Sequence, residues 1–408
     1  MRFDYAIVGG GPAGYSAGLH LAKNGFSVVL FEKDKIGGTC LNRGCIPTKS
    51  MLHSSEIYRN ILDTKNLGLD IEIKSFDFSK VIEKRNLTVE KIRKSLELAI
   101  KNSGIVIVNQ EAEILDSQKI KSGDEIYEAN EIIIATGSKP REIKGLEFDH
   151  DFILSSDDIL ELNKLPKSIL IIGSGAIGIE WARIFSNFGS EVYIVELAEH
   201  LIPLADIEVS KRVERFFKQN KIKFYLKDSI KEIKDKNVTL NSGEILKPEI
   251  ILSATGRIPN SIEASNLKII GDANGEVMLA HYAIYQGLNV NNNINLDKKL
   301  VPSIIYGEPE IAWFGLREQD CDENCKKTIL PITALGKSWC DDSTDGFIKI
   351  ITKNEKIIGA HIISKEASSL IHQLLIAMQN NLTINDLKKV CFAHPTYSEG
   401  IFETLCRI

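Results

Sequence analysis

Two stretches decide the fold: Tyr5-Ala-Ile-Val-Gly9-Gly-Gly11-Pro-Ala-Gly14 and Ile169-Leu-Ile-Ile-Gly173-Ser-Gly175-Ala-Ile-Gly178. Each is a short apolar strand that runs into a GxGxxG turn. The first copy continues as a predicted helix to about Asn24 and a strand, Ser27 to Phe31, that ends in Glu32. The second continues as a helix to about Phe188 and a strand, Glu191 to Val195, that ends in Glu196. Glu32 follows Gly9, and Glu196 follows Gly173, at the same spacing. In such a unit the first glycine turns the chain, the second admits a pyrophosphate and the third lets helix and strand pack closely. The helix N-terminus then faces the phosphates. Two copies in one register predict two dinucleotide sites, with Glu32 and Glu196 each accepting hydrogen bonds from a ribose; glycines kept for packing alone would not bring the matched acids.

An echo follows each copy: Ile132-Ile-Ile-Ala135-Thr136-Gly137 and Ile250-Ile-Leu-Ser-Ala254-Thr-Gly256 both end an apolar strand in Ala-Thr-Gly, and each reads as the closing strand of its own domain. Amphipathic helices are predicted over Phe78 to Asn102, Ala367 to Gln379 and Ile384 to Val390. From Val301 the chain mixes strands (Ser303 to Tyr306, Gly346 to Thr352, Ile357 to Ser364) with helices and reads as a separate α+β domain. The asparagine-rich Asn289 to Asn295 reads as a polar linker.

Length and composition agree with several domains. A chain of 408 residues, 43% apolar and 26% charged, exceeds what one core organises. Its net charge of −5 leaves no electrostatic footprint for nucleic acid or an anionic membrane, since lysines and acids are interleaved. Met1-Arg2 leads straight into an apolar strand, no apolar run approaches a bilayer span, and seven cysteines form no secreted framework. A reducing, cytoplasmic compartment is expected, with no membrane and no nucleic-acid partner.

In that compartment a close cysteine pair points to chemistry. Gly37-Gly38-Thr39-Cys40-Leu-Asn-Arg-Gly-Cys45-Ile-Pro47-Thr-Lys49 is a CxxxxC directly after the first nucleotide unit. Pro47 suits the first turn of a helix, which sets Cys45 near a helix N-terminus with Lys49 one turn later. Both features favour a thiolate, the species that disulfide exchange needs. A structural disulfide and half of a metal site are the other readings of the pair. The first conflicts with the compartment, and the second lacks partners, since Cys321, Cys325 and Cys340 have no histidine at ligand spacing. No metal is expected, and Cys321 and Cys325 read as incidental. Glu196 favours NAD over NADP, because its carboxylate would repel a 2′-phosphate and no arginine follows it.

With the two glycine units, the Gly37 to Lys49 block and His394-Pro-Thr-Tyr-Ser-Glu399 at the end, the chain resembles the pyridine-nucleotide disulfide oxidoreductases throughout its length, and within them the members that oxidise dihydrolipoamide. The resemblance implies two Rossmann-like α/β domains, for FAD and NAD, plus a C-terminal α+β dimerisation domain. It sets the limits at 1–142 and 267–297 for the FAD-binding parts, 143–266 for NAD and 298–408 for the interface. It gives FAD the unit of Gly9, Gly11, Gly14 and Glu32, and NAD the unit of Gly173, Gly175, Gly178 and Glu196. Gly38, Thr39, Lys49, the Ala135, Thr136 and Gly137 turn and Gly256 would also border the cofactors.

By the same resemblance Cys45 lies next to the flavin and Cys40 exchanges with substrate, while Lys49 pairs with Glu180 beside the flavin. Gly271-Asp272 matches a second FAD motif, and Leu279-Ala280-His281 starts a helix facing the flavin's pyrimidine edge. His394 would be the acid/base and Glu399 the group that orients it, although a lone histidine is more often a satisfied structural one. A homodimer with shared active sites is implied, serving lipoyl domains around the acyltransferase core of a 2-oxoacid dehydrogenase complex. Glutathione- and mercuric-type reductases are the nearest alternatives, and a catalytically silent flavoprotein subunit is a third. The chain departs from the family between Asn260 and Gly271, where six residues before a strand at Leu267 to Ile270 must cross between domains, at most about 20 Å when extended.

Overall fold

The computed structural model describes residues 2–62, 64, 67–260, 266–292 and 296–408. Among them, the first sheet takes the order 106–108, 28–31, 2–8, 125–134, 119–122, 113–114. Ile7 is in parallel register with Leu30 on one side and Ile133 on the other. That register brings the carboxyl ends of three strands together at Gly9, Glu32 and Ala135, the edge at which open α/β sheets bind ligands. The second sheet repeats the plan as 223–226, 191–196, 168–172, 250–253 and 153–154, all parallel. Ile171 lies between Ile194 and Leu252, so Gly173, Glu196 and Ala254 share its edge. Strands Val28–Phe31 and Ile250–Ser253 are buried at every position, as continuous apolar runs in parallel sheets must be.

The second sheet is an insertion into the first. The antiparallel ribbon of Ser138–Pro140 and Arg257–Pro259 closes its base, and the chain returns as Lys268–Ile269, parallel to Ile133 and Ile134. The returning strand is thus two residues long, shorter than the expected Leu267 to Ile270. Ser261 to Ser265, most of the short crossover, lie outside the described residues, as do Asn293 to Asn295 of the asparagine run; Asn289 ends the helix Ala280–Leu288.

Three helices cover the cysteine segment. Gly38–Arg43 carries Cys40, Cys45–Leu62 begins at Cys45, and Phe78–Asn102 packs against the latter with Asp77 capping it through Ser79 N (2.9 Å). The helix at Cys40 is absent from the sequence expectations.

The C-terminal part is an antiparallel sheet, in the order 303–305, 310–315, 356–364, 347–353, 326–331. The helix Ala367–Gln379 lays Leu370, Ile371 and Leu374 against it. Strands Glu310–Gly315 and Lys326–Pro331 and the helix Glu399–Cys406 are additions to the elements that the sequence predicts, and the predicted helix to Val390 stops at Leu387. Its Thr383–Asp386 capping box starts a helix too short to outlast its first turn. The architecture as a whole is α/β, with two doubly wound nucleotide-binding units and a C-terminal α+β domain.

Candidate active site

Both glycine units pack as their spacing requires. A Cβ on Gly14 would press into the carbonyl oxygen of Gly9, and one on Gly178 into that of Gly173. Each terminal acid closes its own turn. Glu32 accepts the N–H groups of Gly10 and Asp34, both at 2.8 Å; Glu196 accepts those of Ser174 and Ala198 at 2.8 Å and the Ser174 hydroxyl at 2.7 Å. Burial pushes the Glu32 carboxyl up, against the lowering from the Gly10 amide.

One continuous cleft of about 1950 Å³ joins the units. It runs from Glu32, Gly38 and Thr39 past Cys40, Cys45, Lys49 and Glu180 to Gly173, Gly175 and Glu196. Ala135, Thr136, Gly137, Gly256, Gly271, Asp272, Leu279, Ala280 and His281 also line it. A space of this volume, with a glycine turn and an acid from each unit, fits two dinucleotides.

Cys40 and Cys45 are free thiols one helix apart. Their mutual hydrogen bond raises the Cys40 thiol, with burial adding, and lowers the Cys45 thiol against burial, with Lys49 assisting. The pair is thus polarised, with the thiolate favoured at Cys45, beside Lys49, over Cys40. Lys49 donates to Glu180 Oε2 at 2.6 Å across the seam between the helices Cys45–Leu62 and Ala176–Asn187. Burial opposes its charge, but Glu180 outweighs that and holds the ammonium above its ordinary value. Glu180 is 3% exposed and spends its second oxygen on the Tyr306 amide at 3.0 Å, while the Tyr306 ring lies 4.8 Å under the ammonium.

Asp272 accepts the Ser138 hydroxyl at 2.6 Å, and Ser138 is held in turn by Arg257, whose Nε donates to its Oγ (2.8 Å) and Nη2 to its carbonyl (2.7 Å). Asn260 locks to Thr136 by two hydrogen bonds, its amide donating to the Thr136 carbonyl (2.9 Å) and its own carbonyl accepting the Thr136 hydroxyl (2.8 Å). Leu279 caps the helix at Ala280, as expected, and the His281 ring engages the Pro302 carbonyl at 2.8 Å.

His394 and Glu399 find each other, Nδ1 to Oε1 at 2.7 Å, and Glu399 also accepts the Thr396 amide at 2.8 Å. The Thr396 amide and His394 hold the Glu399 carboxyl below its ordinary range, against burial. This pair does not line the cleft of Cys40 and Cys45; the His394 side chain is 77% exposed. Cys321 donates to the Arg317 carbonyl at 3.4 Å and Cys325 to Asp322 at 3.4 Å. No group of three metal-ligating side chains occurs among the described residues. Tyr306, Asn260, Ser138 and Arg257 are residues that sequence reasoning missed; the doubled Ala-Thr-Gly, followed by Ser138 in one copy and Arg257 in the other, was the available signal.

Comparison with known proteins agrees with this geometry. The family described as pyridine nucleotide-disulphide oxidoreductase matches residues 3–287, and its dimerisation domain matches residues 301–405. Dihydrolipoyl dehydrogenase of Chlamydia pneumoniae is 33% identical over 441 aligned residues, covering 98% of this chain and 95% of the relative. A Bacillus subtilis protein of the same name is 32% identical over 460, covering 98% and 97%. Both alignments are longer than the 408 residues of this chain, so the relatives carry segments that it lacks. The structure of LpdA from Mycobacterium tuberculosis superposes with a TM-score of 0.91 over 100% of this chain and 99% of that one, at 22% identity, a likeness of fold. With two paired nucleotide units, a polarised cysteine pair between them and matches from end to end, this chain belongs to the pyridine nucleotide-disulphide oxidoreductase family.

Proposed function

We propose that the chain is a dihydrolipoamide dehydrogenase, an enzyme that oxidises dihydrolipoamide to lipoamide and reduces NAD⁺. The observation that carries the reading is the polarised Cys40/Cys45 pair set between two nucleotide units, with Lys49–Glu180 behind it. The names of the full-length relatives support the substrate. FAD, held by the first unit, supplies the two-electron relay between the dithiol and NAD⁺ on the second.

The chain's own residues do the rest. With one proton on Nδ1 donated to Glu399, the His394 Nε2 lone pair accepts a proton from a dihydrolipoamide thiol. The resulting thiolate attacks Cys40 of the Cys40–Cys45 disulfide, and Cys45 leaves as a thiolate stabilised by Lys49 and its helix N-terminus. The second substrate thiol displaces Cys40 and passes its proton to it, which closes the lipoamide ring and leaves Cys40 as a thiol, Cys45 as a thiolate and the first proton on His394.

Because His394 stands outside the cleft of its own chain, His394 of one subunit serves the cysteines of the other in a two-fold dimer. The dimer forms through the region after Val301, the domain limits are those the sequence implies, and the partner is a lipoyl domain on a 2-oxoacid dehydrogenase core. An assay of dihydrolipoamide with NAD⁺ and with NADP⁺ tests the reading. Turnover that strongly favours NAD⁺ is expected, and no turnover with either overturns it. Dimers mixed from His394→Ala and Cys45→Ser subunits should regain activity in about a quarter of all sites after random exchange; mixed dimers as inactive as the parents would refute shared sites.

A further inference from the structure

Arg183 lies one turn beyond Glu180 on the same helix, and it is 4% exposed. A guanidinium is rarely taken so far from water, because the desolvation is costly unless the charge is fully partnered. Here the partnering is incomplete. Nη1 donates to the carbonyls of Tyr306 (3.2 Å) and Pro309 (2.7 Å), while Nε has no hydrogen-bond partner among the described residues. Glu56, Glu180 and Glu310 surround the group, yet none of them forms an ion pair with it among the described residues. Burial lowers the guanidinium to about 10 against those three carboxylates, and burial with Glu308 pushes the Glu56 carboxyl up to about 7. The Phe216 ring packs 5.5 Å from the guanidinium carbon.

What Arg183 grips is the bend that holds Glu180. Its two carbonyl acceptors bracket residues 306–309, and the Tyr306 amide at the start of that bend donates to Glu180 Oε1. The bend passes over the guanidinium at Gly307, whose φ is +136 and whose Cβ would fall 2.6 Å from Arg183 Cδ and closer still to Nη1. Only glycine adopts that backbone freely and leaves that room. A chain of contacts therefore runs from Arg183 through the Tyr306 carbonyl and amide to Glu180 and Lys49, and the Lys49 charge acts on Cys45.

We propose that Arg183 is a positioning residue for the reaction: by clamping the Tyr306–Pro309 bend over Gly307 it fixes the Tyr306 amide and ring, and with them the Glu180–Lys49 pair that holds the Cys45 thiolate against the flavin. The proposal rests on the functional reading above for its catalytic consequence. Its structural core, the effect on Cys45, can be read without turnover. Nothing in this arrangement requires Arg183 to touch substrate or nucleotide.

The test uses purified flavin-bound Arg183→Met, which keeps the bulk and removes the donors, and Gly307→Ala, which pushes on the clamp and leaves the charge. The reduced proteins are titrated by alkylation rate and by the long-wavelength thiolate-to-flavin absorbance, and flavin reduction by dihydrolipoamide is followed in a single turnover. In both variants the Cys45 titration should move to higher pH and flavin reduction should slow by about tenfold, as expected when a reacting group is displaced. The KM for NAD⁺ should stay as in the unaltered protein, and Arg183→Lys should recover part of the loss through one donor. An unaltered Cys45 titration in folded, flavin-replete Arg183→Met overturns the proposal. So does a loss of activity in both variants that merely tracks loss of folded protein. If the unaltered protein fails to oxidise dihydrolipoamide while the Cys45 titration still moves in the variants, the functional reading falls and the positioning role stands.

Discussion

The two nucleotide units are one device built twice, and they differ in what covers them. In both, the third glycine lies under the carbonyl of the first and the terminal acid grips the turn. At the middle glycine they part. Gly11 faces Gly38, where a Cβ would lie 2.7 Å from the Gly11 Cα, whereas Gly175 has nothing within 4 Å. The short helix that bears Cys40 roofs the first turn, and the second turn is open. A cofactor retained through every cycle suits the roofed unit; a nucleotide that arrives and departs suits the open one. Identical local chemistry thus takes different roles from its neighbours.

The strongest way to break that contrast is to remove the chemistry from the roofed side alone. Cys45→Ser should lower dihydrolipoamide turnover by several orders of magnitude and abolish the long-wavelength band, yet leave NADH binding to the second unit intact. Cys40→Ser should show the band without reductant. Identical behaviour of the two variants would show that the roles assigned to them are wrong.

A smaller but more pointed comparison sets Gly38→Ala against Gly175→Ala. Gly38 has φ +55 and touches Gly11, so alanine there should strip flavin during gel filtration and cost about 3 kcal/mol of stability. Gly175→Ala enters open space and should keep its flavin, with only a modest rise in the KM for NAD⁺. Equal flavin loss in both would show that the roof has no role in retention.

Glu196→Arg sharpens the same contrast at the other end. It removes the acceptor that closes the second turn and adds a partner for a 2′-phosphate, so the NAD⁺ preference in kcat/KM should narrow by about 10- to 100-fold. Flavin content measured by absorbance should not change. The smallest expected effect is in pH. Cys45 is lowered to about 7, so its thiolate, and its alkylation rate, should persist well below the ordinary thiol range and fall away as pH drops through that value. Lys49→Met removes a lowering influence and should move the titration upward, slowing alkylation at pH 7 by up to about tenfold. A titration that stays put would remove Lys49 from the account.

Much of this contrast is legible in the residues themselves. Periodicity and glycine spacing locate both units, the helix Phe78–Asn102 and the start of the helix at Cys45. These are local signals, written within a dozen residues. The helix Gly38–Arg43 is not legible, because two glycines with positive φ begin it and neither carries a helix-forming signal. Strand Glu310–Gly315 escapes although most of its residues are apolar, since no alternation separates its faces, and its partner Lys356–Ser364 lies far along the chain. Nothing in the sequence singles out Arg183; only the bend from the C-terminal sheet shows that it is enclosed.

Read from the residues alone, the chain has two nucleotide units in one register and a cysteine pair after the first. Each of these is fixed by residue type and short spacing, through turns, caps and helix N-termini. Which groups share a space is set by the packing of distant segments. That packing brought Glu180 to Lys49 across 131 positions and Asp272 to Ser138 across 134, and it left His394 outside the cleft that holds Cys45 in its own chain. The reason is physical: hydrogen bonds and ion pairs act over a few ångströms, and separation along the chain does not say which distant segments the packing of the sheets will bring that close.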